Sequence, residues 1–260
     1  MADQCALVIP ARRHSTRLPD KLLLRAGGKT VLQHTFEAAC RARLPDQVLV
    51  ATDDEQIARE ARRFGADVVM TRATCASGTD RVAEAIRDRK EMAIIVNLQG
   101  DEPEMDAPAI DRLIERLREN RAASMATLAT PIHEWSLVRD PACVKVVFDA
   151  VGRALYFSRS PIPHLRKDGP VETLDKLRGP EGPRFHQHIG IYAYRRELLL
   201  RLAALPPSPL EQTEKLEQLR VLEQGETILV TLVDAATRGI DTAEDFAAFA
   251  SKFPSQKLAG

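Results

Sequence analysis

From residue 7 to residue 119 the chain alternates short apolar runs with stretches whose apolar residues recur at helical spacing, and this constrains the fold more than any other feature. Leu7–Pro10, Gln47–Ala51, Asp67–Thr71 and Ala93–Leu98 read as strands. Between them Val31–Arg41 is predicted helical, with Val31, Leu32, Thr35, Ala38 and Ala39 on its buried side. A second helix is expected to start at Asp53, which is spaced from Gln56 as in a capping box. It buries Ile57, Ala58, Ala61 and Phe64 and stops at Gly65. Thr79–Arg89 gives a third helix. A fourth runs from an Asp106 cap through Glu119, with Pro108 in its first turn, where a missing N–H costs little. Such alternation builds an α/β fold, a mostly parallel central sheet with helices on both faces. Ligands of these folds sit beyond the carboxyl ends of the strands.

Two loops at such ends carry charge of opposite sign. The segment after Leu7–Pro10 holds Arg12, Arg13, Arg17 and Lys21 against a single acid, Asp20. Arginine grips phosphate oxygens with paired bonds and lysine adds a compact charge, so this cluster suits a polyanion such as a triphosphate. Asn97-Leu-Gln-Gly-Asp-Glu-Pro103 leaves a buried strand through a turn that Gly100 permits, placing Asp101 and Glu102 at the strand end. Carboxylates there suit magnesium, which takes one or two of them together with substrate phosphates, although Asp101 also reads as a helix cap or turn residue. Asp241, in Gly239-Ile-Asp-Thr242, is a second candidate carboxylate, but on spacing alone Asp241 or Thr242 reads as a helix cap. Cys75-Ala-Ser-Gly-Thr-Asp-Arg81 offers donors at a helix start, a place for an anion or a base edge, or simply a helix-initiating turn.

The second half reads differently. Val144–Asp149 and Arg153–Ser158 flank Ala150-Val-Gly as a hairpin, and 161–184, rich in Pro, Gly and charge, is expected as an exposed, mobile loop. Ile189–Tyr194 and Thr227–Val233 read as strands; Arg196–Leu205, Leu210–Gln224 and a segment after Asp241 read as helices. His186 and His188 fall just before a strand. The 260 residues carry 37 Lys and Arg against 37 Asp and Glu, which argues against a general nucleic-acid binder. The longest apolar runs are far too short to cross a bilayer, and the N-terminus has no signal-peptide pattern, so a cytoplasmic protein is expected. Cys5, Cys40, Cys75 and Cys143 are too scattered for a zinc site or a disulfide framework.

In order along the chain, Ile9-Pro-Ala-Arg12, Ser15-Thr-Arg-Leu-Pro19 with Lys21, Ser77-Gly-Thr-Asp-Arg81 and Asn97-Leu-Gln-Gly-Asp-Glu-Pro103 form a specific set. Tyr156-Phe-Ser-Arg159, His188-Ile-Gly-Ile-Tyr192, Ser208-Pro-Leu-Glu211, Leu216-Glu-Gln-Leu-Arg220 and Gly239-Ile-Asp-Thr242 extend it. The whole set resembles the CMP-Kdo synthetases, the 3-deoxy-manno-octulosonate cytidylyltransferases, from Val8 to about Phe246. The resemblance implies a Rossmann-like nucleotidyltransferase fold, one domain over 1–260 in which 135–195 form a smaller dimerisation and sugar-binding lobe. It implies a homodimer that joins CTP to Kdo with Mg2+, giving CMP-Kdo and pyrophosphate. Family positions place Arg12, Arg17 and Lys21 on the triphosphate, Asp101 and Asp241 on the metal, and Arg72, Ser77, Gly78, Asp80 and Gln99 around the cytidine. Arg159, His188, Tyr192, Glu217 and Gln218 hold the acidic sugar, Arg159 at its carboxylate. Lys21, Arg12, Asp101 and Asp241 are the catalytic set.

The chain departs from the family at four positions, one of them Leu22, where a proline commonly follows the lysine. Asp20 stands where a glycine is common, Cys75 where a histidine is usual, and Gln187 where an arginine is common. A carboxylate 4 Å from a phosphate charge costs about 1 kcal/mol in water-like surroundings and about 4 kcal/mol at intermediate dielectric. Asp20 is therefore expected to point away or to be neutralised by Lys21 or a metal. The alternatives to Kdo are another acidic sugar, 8-amino-Kdo or a sialic acid, and a catalytically silent nucleotide-binding homologue.

Overall fold

The structure is a computed structural model that describes residues 3–13, 17–166, 174–179, 182–234 and 239–253. The chain divides into two compact units, residues 1–111 with 237–260, and residues 112–236.

In the first unit β1 (Gln4–Ala11) is buried from Cys5 onward, because an apolar run covered on both faces suits an interior parallel strand. A 3-10 turn (Lys21–Leu23) and the hairpin β2 (Arg25–Ala26) and β3 (Lys29–Thr30) lead into α1 (Val31–Ala39), capped by Thr30, whose Oγ1 accepts from Gln33 N at 3.1 Å. Then come β4 (Gln47–Thr52), α2 (Glu55–Arg63), β5 (Asp67–Met70), α3 (Gly78–Ala85), β6 (Met92–Asn97) and the first residues of α4 (Ala107–Glu119), most of which belongs to the second unit. Apart from the antiparallel β2–β3 hairpin, the strand pairs here are parallel, in the order β6-β1-β4-β5, with Val8 beside Leu49 on one side and Asn97 on the other. The chain steps from β1 outward to β4 and β5, then returns to place β6 on the other side of β1. Right-handed crossovers therefore put α1 and α2 on one face and α3 on the opposite face. The reversal between β1 and β6 is a topological switch point, where open α/β sheets hold their ligands.

The second unit contributes β7 (Met125–Pro131), α5 (Trp135–Arg139), β8 (Lys145–Phe148), β9 (Ala154–Ser158), β10 (Arg178–Gly179), β11 (Gly182–Pro183) and β12 (His186–Arg195). It continues with α6 (Arg196–Leu202), α7 (Pro209–Glu214), α8 (Gln218–Glu223) and β13 (Ile228–Leu232). Its strands are mixed. β7 pairs parallel with β13 and antiparallel with β12, which also meets β8, and β8 and β9 form the expected hairpin. α9 (Ala243–Ala250) belongs to the first unit. The α/β class thus holds, and among the described residues no helix is long and apolar enough to cross a membrane.

Several expectations change. Asp54, not Asp53, caps α2, accepting from Gln56 N at 2.8 Å and Ile57 N at 2.9 Å. The third helix ends at Ala85, not Arg89. The single helix over 210–224 is two, α7 and α8, broken at Lys215, whose φ of 55° is left-handed. β7 was not anticipated, and His186 and His188 lie inside β12 rather than before it. Part of the stretch 161–184 is ordered: a 3-10 turn (Leu174–Leu177) inserts Leu177 into a cluster with Ile132, Val138, Cys143 and Phe185. Residues 167–173 and 180–181 of that stretch lie outside the described residues, as do Ser15 and Thr16 of the basic-loop motif.

Candidate active site

The basic and acidic loops meet within the first unit. β1 ends at Ala11 and exposes Arg12 and Arg13. Lys21, at the start of the 3-10 turn, donates through Nζ to Asp101 Oδ2 in a short contact and to Asp241 Oδ1 at 3.0 Å. Arg17 Nη2 lies 3.0 Å from Asp241 Oδ2. Burial alone would lower the Lys21 pKa, but the two carboxylates outweigh it, and the ammonium titrates above the usual lysine range.

Backbone geometry brings these carboxylates together. A Cβ on Gly100 would stand 3.2 Å from Pro10 O, so the turn after β6 runs tight against β1, and Thr35 Oγ1 donates to Gly100 O at 2.9 Å. Ile240 N donates to Asp101 O at 2.9 Å, which ties the segment before α9 to this turn. A Cβ on Gly239 would come 2.8 Å from Glu102 Oε1, so this segment runs close against the Glu102 side chain. Thr242 caps α9, with its Oγ1 accepting from Asp245 N at 3.1 Å. The cap is therefore filled by the neighbour, and the Asp241 carboxylate is left for Lys21 and Arg17.

Among the described residues no group of three or more His, Cys, Asp or Glu side chains forms a closed metal cage. Asp101 and Asp241 make an open, oxygen-only donor set, which fits a hard divalent cation that completes its shell with phosphate oxygens and water.

Four of the five expected base-pocket residues surround the start of α3 and the end of β6. Ser77 and Asp80 form a reciprocal capping box, each bond 3.1 Å. The helix-turn reading of that motif is therefore correct as local structure. A Cβ at Gly78 would stand 3.5 Å from Pro10 Cγ and 3.8 Å from Gln99 Oε1, so Gly78 and Gln99 share one wall. Arg72, the fifth, is exposed and held by Glu84, which accepts from its backbone N and its Nε at 2.8 Å each. Beneath this turn Arg81 is buried, its Nη1 2.5 Å from Thr71 Oγ1 and 3.1 Å from Asp53 Oδ1. Asp53 is thus a counter-charge rather than a cap. The ion-pair roles of Glu84 and Asp53 were not anticipated, since their partners stand 12 and 28 residues away along the chain (84 − 72 and 81 − 53).

The five expected sugar-pocket residues lie in the second unit. His188 is buried against Phe157 and Tyr192, ring centroids 5.0 and 5.4 Å away. Thr127 Oγ1 donates to Ile191 O at 2.8 Å, which leaves it to accept from His188 Nε2 at 3.0 Å and assigns the ring proton to Nε2. Burial lowers the His188 pKa to about 3, so the ring is neutral. Burial also holds the Tyr192 pKa well above the usual phenol value, and its OH donates to Gln218 Oε1 at 3.2 Å. Gln218 is buried, yet among the described residues its Nε2 has no hydrogen-bond partner, an orphaned donor of the kind a polar ligand would satisfy. Glu217 is exposed at the start of α8. Arg159 donates through Nε to Glu214 O at 2.8 Å and through Nη1 to Pro141 O at 2.8 Å, while its backbone N donates to Glu214 Oε2 at 3.0 Å.

A cytidylyltransferase family model matches residues 6–228. The 3-deoxy-manno-octulosonate cytidylyltransferase of Rhodopirellula baltica is 49% identical over 97% of this chain and 100% of its own length. This chain belongs to the 3-deoxy-manno-octulosonate cytidylyltransferase family. The cytidylyltransferase of that name from Syntrophotalea carbinolica is 48% identical over 92% of this chain and 94% of its own. A solved structure of CMP:2-keto-3-deoxy-manno-octonic acid synthetase complexed with CTP matches with a TM-score of 0.86 at 38% identity, covering 96% of this chain and 98% of that one. The nucleotidyltransferase fold expected from the motifs is therefore the fold of this cytidylyltransferase. Cytidylyltransferases generally use a divalent metal.

The structure shows the local settings of Asp20, Cys75 and Gln187. Asp20 sits at φ 52°, a left-handed position that glycine favours and that aspartate tolerates better than most residues. Its carboxylate is neutralised by Arg13, Nε to Oδ1 at 2.8 Å, and not by Lys21. Cys75 donates through Sγ to Glu84 Oε2 at 3.4 Å, and burial together with that carboxylate raises its pKa. Gln187 lies in β12 opposite Thr130 and Lys145.

Proposed function

We propose that this chain transfers CMP from CTP to 3-deoxy-D-manno-octulosonate (Kdo), releasing CMP-Kdo and pyrophosphate. The observation that carries the reading is the convergence of Asp101 and Asp241, 140 residues apart (241 − 101), on the ammonium of Lys21 at the switch point of the sheet. In this reading Arg12, Arg17 and Lys21 take the triphosphate, and Asp101 and Asp241 hold Mg2+. A metal held by these carboxylates would shield the nucleotide phosphates from the anionic sugar and would lower the pKa of the attacking hydroxyl. The anomeric oxygen of Kdo bonds to the α-phosphorus as the bond to pyrophosphate breaks in line. Positioning and charge do most of the work in such transfers, so the chain needs no covalent nucleophile. Ser77, Gly78, Asp80, Gln99 and Arg72 receive the cytidine. His188, Tyr192, Glu217, Gln218 and Arg159 receive the sugar, with the unpartnered Gln218 Nε2 supplying a donor.

We further propose a cytoplasmic homodimer, with residues 135–195 as the dimerisation and sugar-binding lobe of one nucleotidyltransferase domain. The exposed Val151 and Leu155 of the β8–β9 hairpin support that surface. The test is pyrophosphate release from CTP with Mg2+, with Kdo, 8-amino-Kdo and N-acetylneuraminate offered in parallel. Release with Kdo is expected. Release only with another sugar keeps the mechanism and overturns the substrate, and silence with all three overturns the activity.

A further inference from the structure

Lys145 is completely buried. Among the described residues no carboxylate lies within hydrogen-bond reach of its ammonium. All three N–H donors go to main-chain carbonyls, Asp140 O at 2.9 Å, Cys143 O at 2.7 Å and Arg159 O at 2.6 Å. Burying a cation with no carboxylate in direct contact is costly, and burial draws the Lys145 pKa down against the opposing pull of the nearby Asp140 and Glu214 charges. A methionine would fill nearly the same space without that cost, so the bonds themselves call for an explanation.

The bonds join two segments that are separate in sequence, the turn 140–143 before β8 and Arg159, just beyond the end of β9. Those same segments form the cradle of the Arg159 side chain. Pro141 O, between the two pinned carbonyls of the turn, accepts from Arg159 Nη1 at 2.8 Å. Glu214 closes the other side, taking Ser158 Oγ at 2.6 Å and Arg159 N at 3.0 Å, while its carbonyl takes Arg159 Nε at 2.8 Å. Lys145 stands opposite Ser158 in the β8–β9 register, which delivers its side chain to the point where the two segments meet.

We propose that Lys145 is a positioning residue for Arg159: its ammonium fixes the main chain at 140–143 and 159, and thereby fixes where the guanidinium presents its remaining donors to the carboxylate of the acidic sugar. The inference rests on the sugar-binding role given to Arg159 above. A guanidinium held before the substrate arrives loses less freedom on binding, so the gain lies in affinity for the sugar rather than for the nucleotide.

K145M tests it, with R159A and K145M/R159A alongside. In K145M the KM for Kdo is expected to rise at least tenfold while the KM for CTP stays within twofold. The double variant is expected to match R159A within twofold, because Lys145 acts through Arg159. If K145M does not fold, K145Q, which keeps an N–H donor, is read in the same way. A KM for Kdo unchanged within twofold, both KM values rising together, or a double variant worse than R159A by the full K145M factor overturns the proposal and leaves Lys145 a fold residue only. Amide hydrogen exchange in wild type and variant decides the matter without turnover. Exchange at least tenfold faster at 142–143 and 158–160, with β12 unchanged, supports the pin; unchanged exchange there, or acceleration throughout the unit, overturns it. Should the wild-type chain turn over no acidic sugar, the functional reading fails while the exchange measurement still tests the pin.

Discussion

Asp101 and Asp241 share one lysine, and the two carboxylates differ in what else holds them. Asp241 also meets Arg17, whereas the Asp101 side chain is the more buried, at 20% exposure against 46%. Asp101→Asn keeps the shape and removes the charge that the proposed metal needs. Turnover at saturating CTP and Kdo is expected to fall at least about a hundredfold, as loss of a metal ligand does. The thermal unfolding midpoint should stay within a few degrees, since Lys21 retains Asp241; near-normal turnover would remove Asp101 from the mechanism. His188 gives a prediction in pH. Its pKa is about 3 in the folded chain, against about 6.5 for an ordinary histidine. Between those values the unfolded chain binds a proton that the folded chain does not. The stability carried by the neutral ring is therefore complete above pH 6.5 or so and is lost as pH falls toward 3. In urea unfolding at pH 6.5, 5.5 and 4.5, His188→Gln should flatten the loss of stability by up to about 1.4 kcal/mol per pH unit. Equal slopes in both proteins would show that His188 takes up a proton in the folded state.

At the scale of elements, twice the chain offers adjacent cap candidates, and each time one residue takes the cap and the other joins an ion pair. Asp54 caps α2 while Asp53 faces Arg81, and Thr242 caps α9 while Asp241 faces Lys21. Sequence spacing could not separate the members of either pair, because all four residues are good caps and the choice depends on backbone direction as the chain enters the helix. The two aspartates at α2 should therefore respond differently. Asp54→Ala is expected to cost about 1 kcal/mol, a lost cap. Asp53→Ala leaves the buried Arg81 without its counter-charge and is expected to cost about 3 kcal/mol. Urea midpoints of the two variants check the order, and a larger loss for Asp54→Ala would reverse the assignment. The α7–α8 break was equally hidden, since Lys215 carries no mark of a left-handed residue. β7 was missed because Met125-Ala-Thr-Leu-Ala-Thr lacks the aromatic and β-branched density that distinguishes a strand from a helix. By contrast the first four long strands were legible, each an apolar run closed by a polar turn.

For the whole molecule, alternation conveyed the parallel order of the first unit, and the motifs conveyed the family. Asp101 stood out because it follows a glycine-marked turn, whereas Asp241 read as a helix cap until the family resemblance gave it a role. What stayed hidden was the support behind the site, Glu84, Glu214 and Lys145, whose partners lie in other segments and leave no spacing to read. Assembly is the remaining property of this scale. Val151 and Leu155 are 60% and 61% exposed, an unusual state for aliphatic side chains so close together. Their hairpin is rigid, with Gly152 N donating to Asp149 O at 2.9 Å and Arg116 Nη2 donating to Val151 O at 2.5 Å. A preformed apolar tip suits an isologous contact in which each copy of the chain presents the same residues to the other. Leu155→Glu then acts twice per dimer. Losing the burial of two leucines costs about 3 kcal/mol, roughly a hundredfold in Kd, before the repulsion of the added carboxylates is counted. Sedimentation velocity at micromolar concentration is expected to show a dimer for the wild-type chain and a monomer for Leu155→Glu, with far-UV circular dichroism unchanged. A monomeric wild type would end the dimer proposal, and a dimeric variant would move the interface away from this hairpin.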